Sequence, residues 1–213
     1  MSRQTDMAYQ YIKEKILSGI FKPSQKLTEV QLTEMIGVSR NTIKKALLKL
    51  EQENLIVVED NKGATIKAFT LEEIVNYLEI REVLEGLIAR SAACNISNND
   101  LDKMKDVLEQ MKGFLINNEF DKYSAKNKEF HGIMYNSAPN KQAVEIINMI
   151  RTQLIRYQFR TILLPGRIEM SLKEHFDIYE ALRQHDEKKA EEVVKIHISS
   201  VREVIERNYY YLS

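Results

Sequence analysis

Hinges, staples and tight turns are scarce in this chain. Seven glycines and three prolines in 213 residues fall well below the usual ~7% and ~5%. That scarcity argues against a turn-rich sandwich or barrel and leans the composition toward helix. The single cysteine, Cys94, rules out an internal disulfide and fits a reducing compartment. No nucleophile–base constellation surrounds it, so it is expected to be a small core residue near a helix end. No apolar run approaches the ~18 residues of a membrane span. The polar start Met1-Ser-Arg-Gln-Thr-Asp-Met7 lacks the apolar core of a signal peptide. The expectation is a cytoplasmic protein with no membrane partner.

What is present suits a globular protein. Hydrophobic residues make up 44% and charged residues 29%, with no low-complexity run, so disorder and fibrous architectures are excluded. The length suggests one large domain or two modest ones. Lys/Arg and Asp/Glu balance at 31 each, but unevenly. Residues 1–49 hold nine Lys/Arg against four Asp/Glu, whereas residues 69–213 hold 20 against 23. A basic head on a mildly acidic body is expected where only the head meets a polyanion.

The head has the order of a winged helix-turn-helix. Ala8, Ile12, Ile16 and Ile20 recur every four residues and predict a first helix. Thr28-Glu-Val-Gln31 is a capping box opening a second, with Leu32 and Ile36 inward and Gly37 where a helix end takes a left-handed residue. Val38 plugs the turn, and Ser39 caps a third helix from Arg40 to Leu50. Ile43, Leu47 and Leu50 hold that helix down, while Arg40, Asn41, Thr42, Lys44 and Lys45 crowd its outward start. This is the end a recognition helix presents to the major groove. Leu55–Glu59, the turn Asp60-Asn-Lys-Gly63 and Ala64–Ala68 predict a hairpin wing with Lys62 at its tip.

After the wing, helical periodicity takes over. Thr70-Leu-Glu-Glu73 is a further capping box, and six helices are expected near 71–94, 98–117, 120–138, 140–163, 168–185 and 187–209. The fold class is mainly α: a winged helix-turn-helix with a small β-hairpin over 1–68, and an all-α bundle over 69–213.

Two features of the bundle carry chemistry. Arg81 and Glu85 lie at i, i+4 on an otherwise apolar stripe. They read either as an internal ion pair or as an arginine poised to clamp a carboxylate or phosphate. His175 and His197 stand eleven residues before and after the turn at Asp186, so an antiparallel hairpin brings them to one height. His131 shares a helix face with Asn127. Three inward histidines and an oxygen donor suit a divalent metal; a hydrogen-bonded core cluster is the alternative. His185 sits beside the turn and is expected to face solvent.

The stretch Leu32-Thr-Glu-Met-Ile-Gly-Val-Ser-Arg-Asn-Thr-Ile-Lys-Lys-Ala-Leu-Leu-Lys-Leu-Glu51, with Asn54-Leu-Ile56 and Gly63-Ala-Thr-Ile66, resembles the DNA-binding domain of GntR-family transcriptional regulators. Arg81-Glu-Val-Leu-Glu85, Asn127-x-x-Phe-His131, Glu174-His175, Ala181-Leu-x-x-x-Asp186 and His197 resemble the C-terminal FCD domain of the FadR subfamily. Six helices rather than seven is similar to the VanR-like branch. The resemblance implies operator contacts from Arg40, Asn41, Thr42 and Lys44, with Lys44 where the family has Arg and Lys45 where it has Glu. Ser39, Lys45, Lys49, Lys62 and Gly63 complete the expected set on double-stranded operator DNA. It implies metal ligands Asn127, His131, His175 and His197, with Asn127 where Asp is commoner. The ion would be Zn²⁺ first, with Ni²⁺ or Mn²⁺ as alternatives. It also implies a small carboxylate effector at Arg81, a homodimer, and repression relieved by ligand. Ser24 replaces the glycine of the family's Pro-Gly turn, a change expected to be neutral. Two other classes compete: a metal-dependent hydrolase, and a DNA-binding protein whose His cluster is purely structural.

Overall fold

The computed structural model describes residues 3–59 and 63–212. It divides into two compact units, Met1–Thr70 and Leu71–Ser213. The first contains α1 (Arg3–Leu17), β1 (Lys26–Leu27), α2 (Glu29–Ile36), α3 (Arg40–Gln52), β2 (Ile56–Glu59) and β3 (Gly63–Ile66). The second contains α4 (Leu71–Asn95), α5 (Asn98–Ile116), α6 (Phe120–Ser137), α7 (Lys141–Ile162), α8 (Arg167–Arg183) and α9 (Glu187–Leu212). The chain is mainly α, a winged helix-turn-helix followed by a helical bundle.

Local chemistry sets the helix-turn-helix. The Thr28 hydroxyl accepts from the Gln31 amide while the Gln31 side chain takes the Thr28 amide, the full reciprocal box. Gly37 ends α2 at φ 76°, a conformation that glycine adopts without a Cβ penalty. Ser39 then caps α3 by accepting from the Thr42 amide. Ile12, Leu32, Ile43, Leu47 and Leu50 close the core beneath, and Val38 is buried in the turn.

Three expectations need correction here. Helix α1 ends at Leu17, so Ile20 falls outside it and is exposed; Phe21 takes the core place instead. The wing is a three-stranded antiparallel sheet, not a lone hairpin. Two residues, Lys26 and Leu27, pair with Thr65 and Ala64 on the free edge of β3. Ser24 is not neutral: it stands at φ 61°, in the left-handed region, with its amide donating to the Ile66 carbonyl. Lys62, expected at the wing tip, lies outside the described residues.

In the bundle, α4 and α9 pack along each other. Exposed ion pairs line their seam, from Arg202 to Glu79 and Glu82 and from Arg90 to Glu187 and Glu191. Pairs this exposed add little stability. Among the described residues the interior is largely apolar, with a polar nucleus on α4, α6, α8 and α9 and the buried polar residues Gln153 and Thr161 on α7. Cys94 is exposed, contrary to expectation. The buried stripe of α4 runs through Ile88, Ala89, Ala92 and Ala93, and residue 94 points away from it.

Ser24 yields a direct test. An L-residue in the left-handed region is strained by about 1–2 kcal/mol, partly offset by the larger entropy loss of glycine. Ser24→Gly should therefore raise stability by roughly 0.5–1 kcal/mol in urea unfolding. A lower unfolding midpoint would mean that the Ser24 side chain supplies more than its strain removes.

Candidate functional site

The outward start of α3 is cationic. Arg40, Asn41, Lys44 and Lys45 are exposed beside the cap residue Ser39. Among the described residues, Lys44 makes a long ion pair to Glu29 at 3.8 Å. The structure turns three members of the expected set inward. Thr42 is buried, its hydroxyl 2.8 Å from that of Ser39, so it braces the helix start. Lys49 folds back on α1, with its ammonium 3.8 Å over the Tyr9 ring and 3.6 Å from Asp6. Gly63 is buried at φ 97°, where a Cβ would come within 2.2 Å of the Leu27 carbonyl oxygen, so the close approach of β1 requires glycine there.

The polar nucleus of the bundle gathers His131 from α6, His175 from α8 and His197 from α9, all buried. One ring nitrogen from each lies within 4.8 Å of the others. His131 Nε2 and His175 Nε2 are 3.2 Å apart. The neighbours fix two tautomers. His175 Nδ1 faces the Ser171 carbonyl, which only accepts, so Nδ1 carries the proton and Nε2 the lone pair. His197 Nδ1 donates to Glu174 Oε2 at 2.7 Å, which frees its Nε2 in the same way.

His131 is the pivot. Its Nδ1 has no hydrogen-bond partner and lies 3.9 Å from Glu85 Oε2. A proton on Nδ1 suits that carboxylate but turns the Nε2 lone pair toward that of His175. A proton on Nε2 satisfies His175 but turns the Nδ1 lone pair toward Glu85. A cation among the Nε2 atoms removes the conflict. Asn127, one turn before His131, holds its Oδ1 buried and without a partner. Three imidazoles and an orphaned amide oxygen are a donor set that could hold a divalent metal.

Burial pushes the His131 imidazole well below its usual pKa, helped by the positive charge of Arg151 and by its sister histidines. Burial, with His197 beside it, takes His175 down to about 3. Both rings are therefore neutral at physiological pH, the form that binds metals.

Next to the cluster lies the Arg81–Glu85 pair. Arg81 Nε and Nη2 both reach Glu85 Oε1 at 2.7 Å, and Tyr135 donates its hydroxyl to Oε2 at 2.7 Å. The half-buried Arg151 guanidinium stands 5.1 Å over the Tyr135 ring. Burial raises the Glu85 carboxyl, but Arg81, Arg151 and Tyr135 together outweigh it and hold the group below the usual carboxylate range. Arg81 Nη1 remains buried with no partner. His185 is exposed, as expected, and its Nδ1 meets the Ala93 carbonyl at 2.7 Å.

The sequence reading assigned no role to four of these residues. Ser171 is one turn before His175 and Tyr135 one turn after His131, so helical spacing alone could have found both. Glu174 was visible as the neighbour of His175, although its role is to orient His197. Arg151 gave no local signal.

Residues 4–66 match the model for bacterial regulatory proteins of the gntR family, and residues 76–200 match the FCD domain. The HTH-type transcriptional repressor RspR of Escherichia coli K12 is 22% identical over 197 residues, covering 92% of this chain and 86% of that protein. The HTH-type transcriptional regulator LutR of Bacillus subtilis 168 is 26% identical over 211 residues, covering 89% and 95%. Among solved structures, E. coli McbR/YncC superposes with a TM-score of 0.82 at 18% identity, covering 98% of this chain and 100% of that one. The chain belongs to the GntR family of bacterial regulatory proteins, with an FCD domain as its second unit, and is a transcriptional regulator, not an enzyme.

Proposed function

We propose that this protein is a ligand-responsive repressor that binds a two-fold operator as a homodimer. In this reading Arg40 and Asn41 address base edges in the major groove. Lys44 and Lys45 hold phosphates, and Ser39, Lys62 and the wing support the contact. Thr42, Lys49 and Gly63 act indirectly, by fixing the helix and sheet. The observation that carries the reading is the cationic, capped start of α3, in a chain whose other unit gathers a buried donor set.

The second unit would hold a divalent ion through His131, His175, His197 and Asn127, with Zn²⁺ first and Ni²⁺ or Mn²⁺ as alternatives. When bound, the ion supplies a positive centre for a small carboxylate. The chain's own residues do the rest. Ser171 and Glu174 keep two imidazoles in the ligating tautomer. Glu85 and Tyr135 hold Arg81 in place. Arg81 Nη1 offers its free N–H to the effector. Effector binding shifts the dimer between arrangements that do and do not fit the operator.

The dimer would use the outer stripe of α4. Ile80, Val83 and Leu87 are exposed there at helical spacing, with the uncharged Asn76 and Cys94 in line at either end. An uncharged apolar stripe of this kind suits an isologous contact.

Three outcomes are expected. Arg40→Ala should cost roughly 1–3 kcal/mol of specific binding per half-site on a selected operator fragment. Unchanged affinity would remove α3 as the reading helix. Purified protein should carry about one divalent ion per chain. By metal analysis His175→Ala and His197→Ala should lower that content while His185→Ala keeps it, and equal content in all three would exclude the site. Arg81→Lys should fold, keep its metal and bind operator, yet lose effector-induced release, because an ammonium cannot reproduce the planar fork. Release curves identical to wild type would leave Arg81 as a structural partner of Glu85.

A further inference from the structure

Among the described residues, a second arginine buried in the bundle has no use in the site described so far. Arg167 opens α8 and is 5% exposed. It makes one ion pair, from Nη2 to Glu174 Oε2 at 3.1 Å, and that same oxygen accepts from His197 Nδ1. Its Nε and Nη1 are both buried and have no hydrogen-bond partner among the described residues. Arg81 spends two of its three nitrogens on Glu85; Arg167 leaves two of three unspent. A buried guanidinium left this far from satisfied is unfavourable, and an apolar residue would pack there more cheaply.

Two buried hydroxyls share the place. Tyr123, fully buried, donates to the Ile168 carbonyl at a long 3.5 Å and is hydrogen-bonded to the Ser171 hydroxyl. Burial lifts its phenol to about 12, opposed by the Ser171 hydroxyl and the charge of Arg167. It is thus a protonated donor throughout the physiological range. Ser171 is buried one turn after Arg167. The N-terminus of α8 begins at Gly166, which provides no side-chain cap, so the positive end of its dipole adds to the same region.

We propose that Arg167, Tyr123 and Ser171 form a second anion-binding subsite, for an oxyanion of the carboxylate or phosphate type. It stands apart from the cluster's ligating face. Ser171 Oγ lies 3.4 Å from His175 Nδ1, and Glu174 lies on His197 Nδ1, so both contacts are on the ring edges opposite the Nε2 atoms. An anion here would not touch an ion held by the Nε2 atoms, and the subsite stands whether or not the cluster holds one. It is still coupled to the cluster. An oxyanion taking up the free donors of Arg167 weakens that residue's pull on Glu174 and leaves the carboxylate more fully to His197.

The test uses the full chain after chelator treatment, with sodium acetate or inorganic phosphate titrated against chloride at constant ionic strength. Thermal unfolding is the readout. The expected result is a rise in Tm that saturates with at least one of the two probes; the better probe tells a carboxylate from a phosphate site. Arg167→Gln should weaken that apparent Kd by about tenfold or more, the scale of a lost charge-assisted hydrogen bond. If Arg167→Gln does not fold, the near-isosteric pair Tyr123→Phe and Ser171→Ala carries the test, with a several-fold weaker Kd expected. The absence of any saturating rise in chelated wild type would overturn the proposal, as would variants with the wild-type Kd. Stabilisation seen only when metal is restored would place the anion on the ion and leave the reading under Proposed function intact while removing this subsite.

Discussion

Three imidazoles from three helices must share one point that water does not reach, and the bundle is organised around that constraint. A buried polar group without a partner costs about 1–3 kcal/mol, so each ring needs its outer nitrogen held. Ser171 does this for His175 from within α8, and Glu174 does it for His197 across to α9. His131 alone has no such partner on Nδ1, and its one nearby acceptor is Glu85 at 3.9 Å. The arrangement is close-fitting but incompletely satisfied, and a buried polar group left in that state calls for a partner.

The Arg81–Glu85–Tyr135 group bears on that point from the side. Breaking a buried pair by removing one partner typically costs about 3–5 kcal/mol, because the other charge is left uncompensated. Glu85 is therefore not free to become a metal ligand or a base without stranding Arg81. It serves two purposes at once: it ties α4 to α6 through Tyr135, and its Oε2 stands 3.9 Å from the His131 Nδ1 atom. The sequence left the pair open between structural and ligand-binding roles. The structure forms the ion pair, with Nε and Nη2 committed to Glu85, and leaves Nη1 without a partner among the described residues.

Much of this was legible in the chain before any coordinates. The capping box at Thr28, the left-handed Gly37 and the Ser39 cap are local chemistry, and each formed as read. The equal spacing of His175 and His197 about Asp186 needed only a helical hairpin to bring the rings 4.7 Å apart. The misreadings share one cause, which is that periodicity says nothing about where an element stops or what covers it. Ile20 continues an i, i+4 series beyond a helix that has already ended, and Cys94 follows two buried alanines on the opposite face. Strand β1 is two residues long and exists only because β3 offers an edge. Thr42 and Lys49 lie on a basic helix, yet Ser39 and Tyr9 turn them inward. Arg167 stands two turns before Glu174 on α8, so spacing could have paired them, but nothing in the sequence signalled that its Nε and Nη1 would be buried without partners.

In the proposed reading, the charges around the cluster bear on the kind of ligand the bundle would accept. Arg81 and Arg167 are buried and Arg151 is half-buried, against the carboxylates of Glu85 and Glu174. Among these described residues the balance is one positive charge in excess before any ion is considered. The donor set of three neutral imidazoles and the Asn127 amide adds no negative charge, where a carboxylate at that position would. In the proposed reading, an ion's two charges therefore stay uncompensated by its own ligands. Neither carboxylate is available to correct this, since Glu85 is committed to Arg81 and Tyr135, and Glu174 to His197 and Arg167. Isolated charge is expensive in a low-dielectric interior. In that reading the compensating negative charge would come from the ligand, so an asparagine at position 127 would make the pocket more dependent on an anionic effector, with a dianion more suitable than a monoanion.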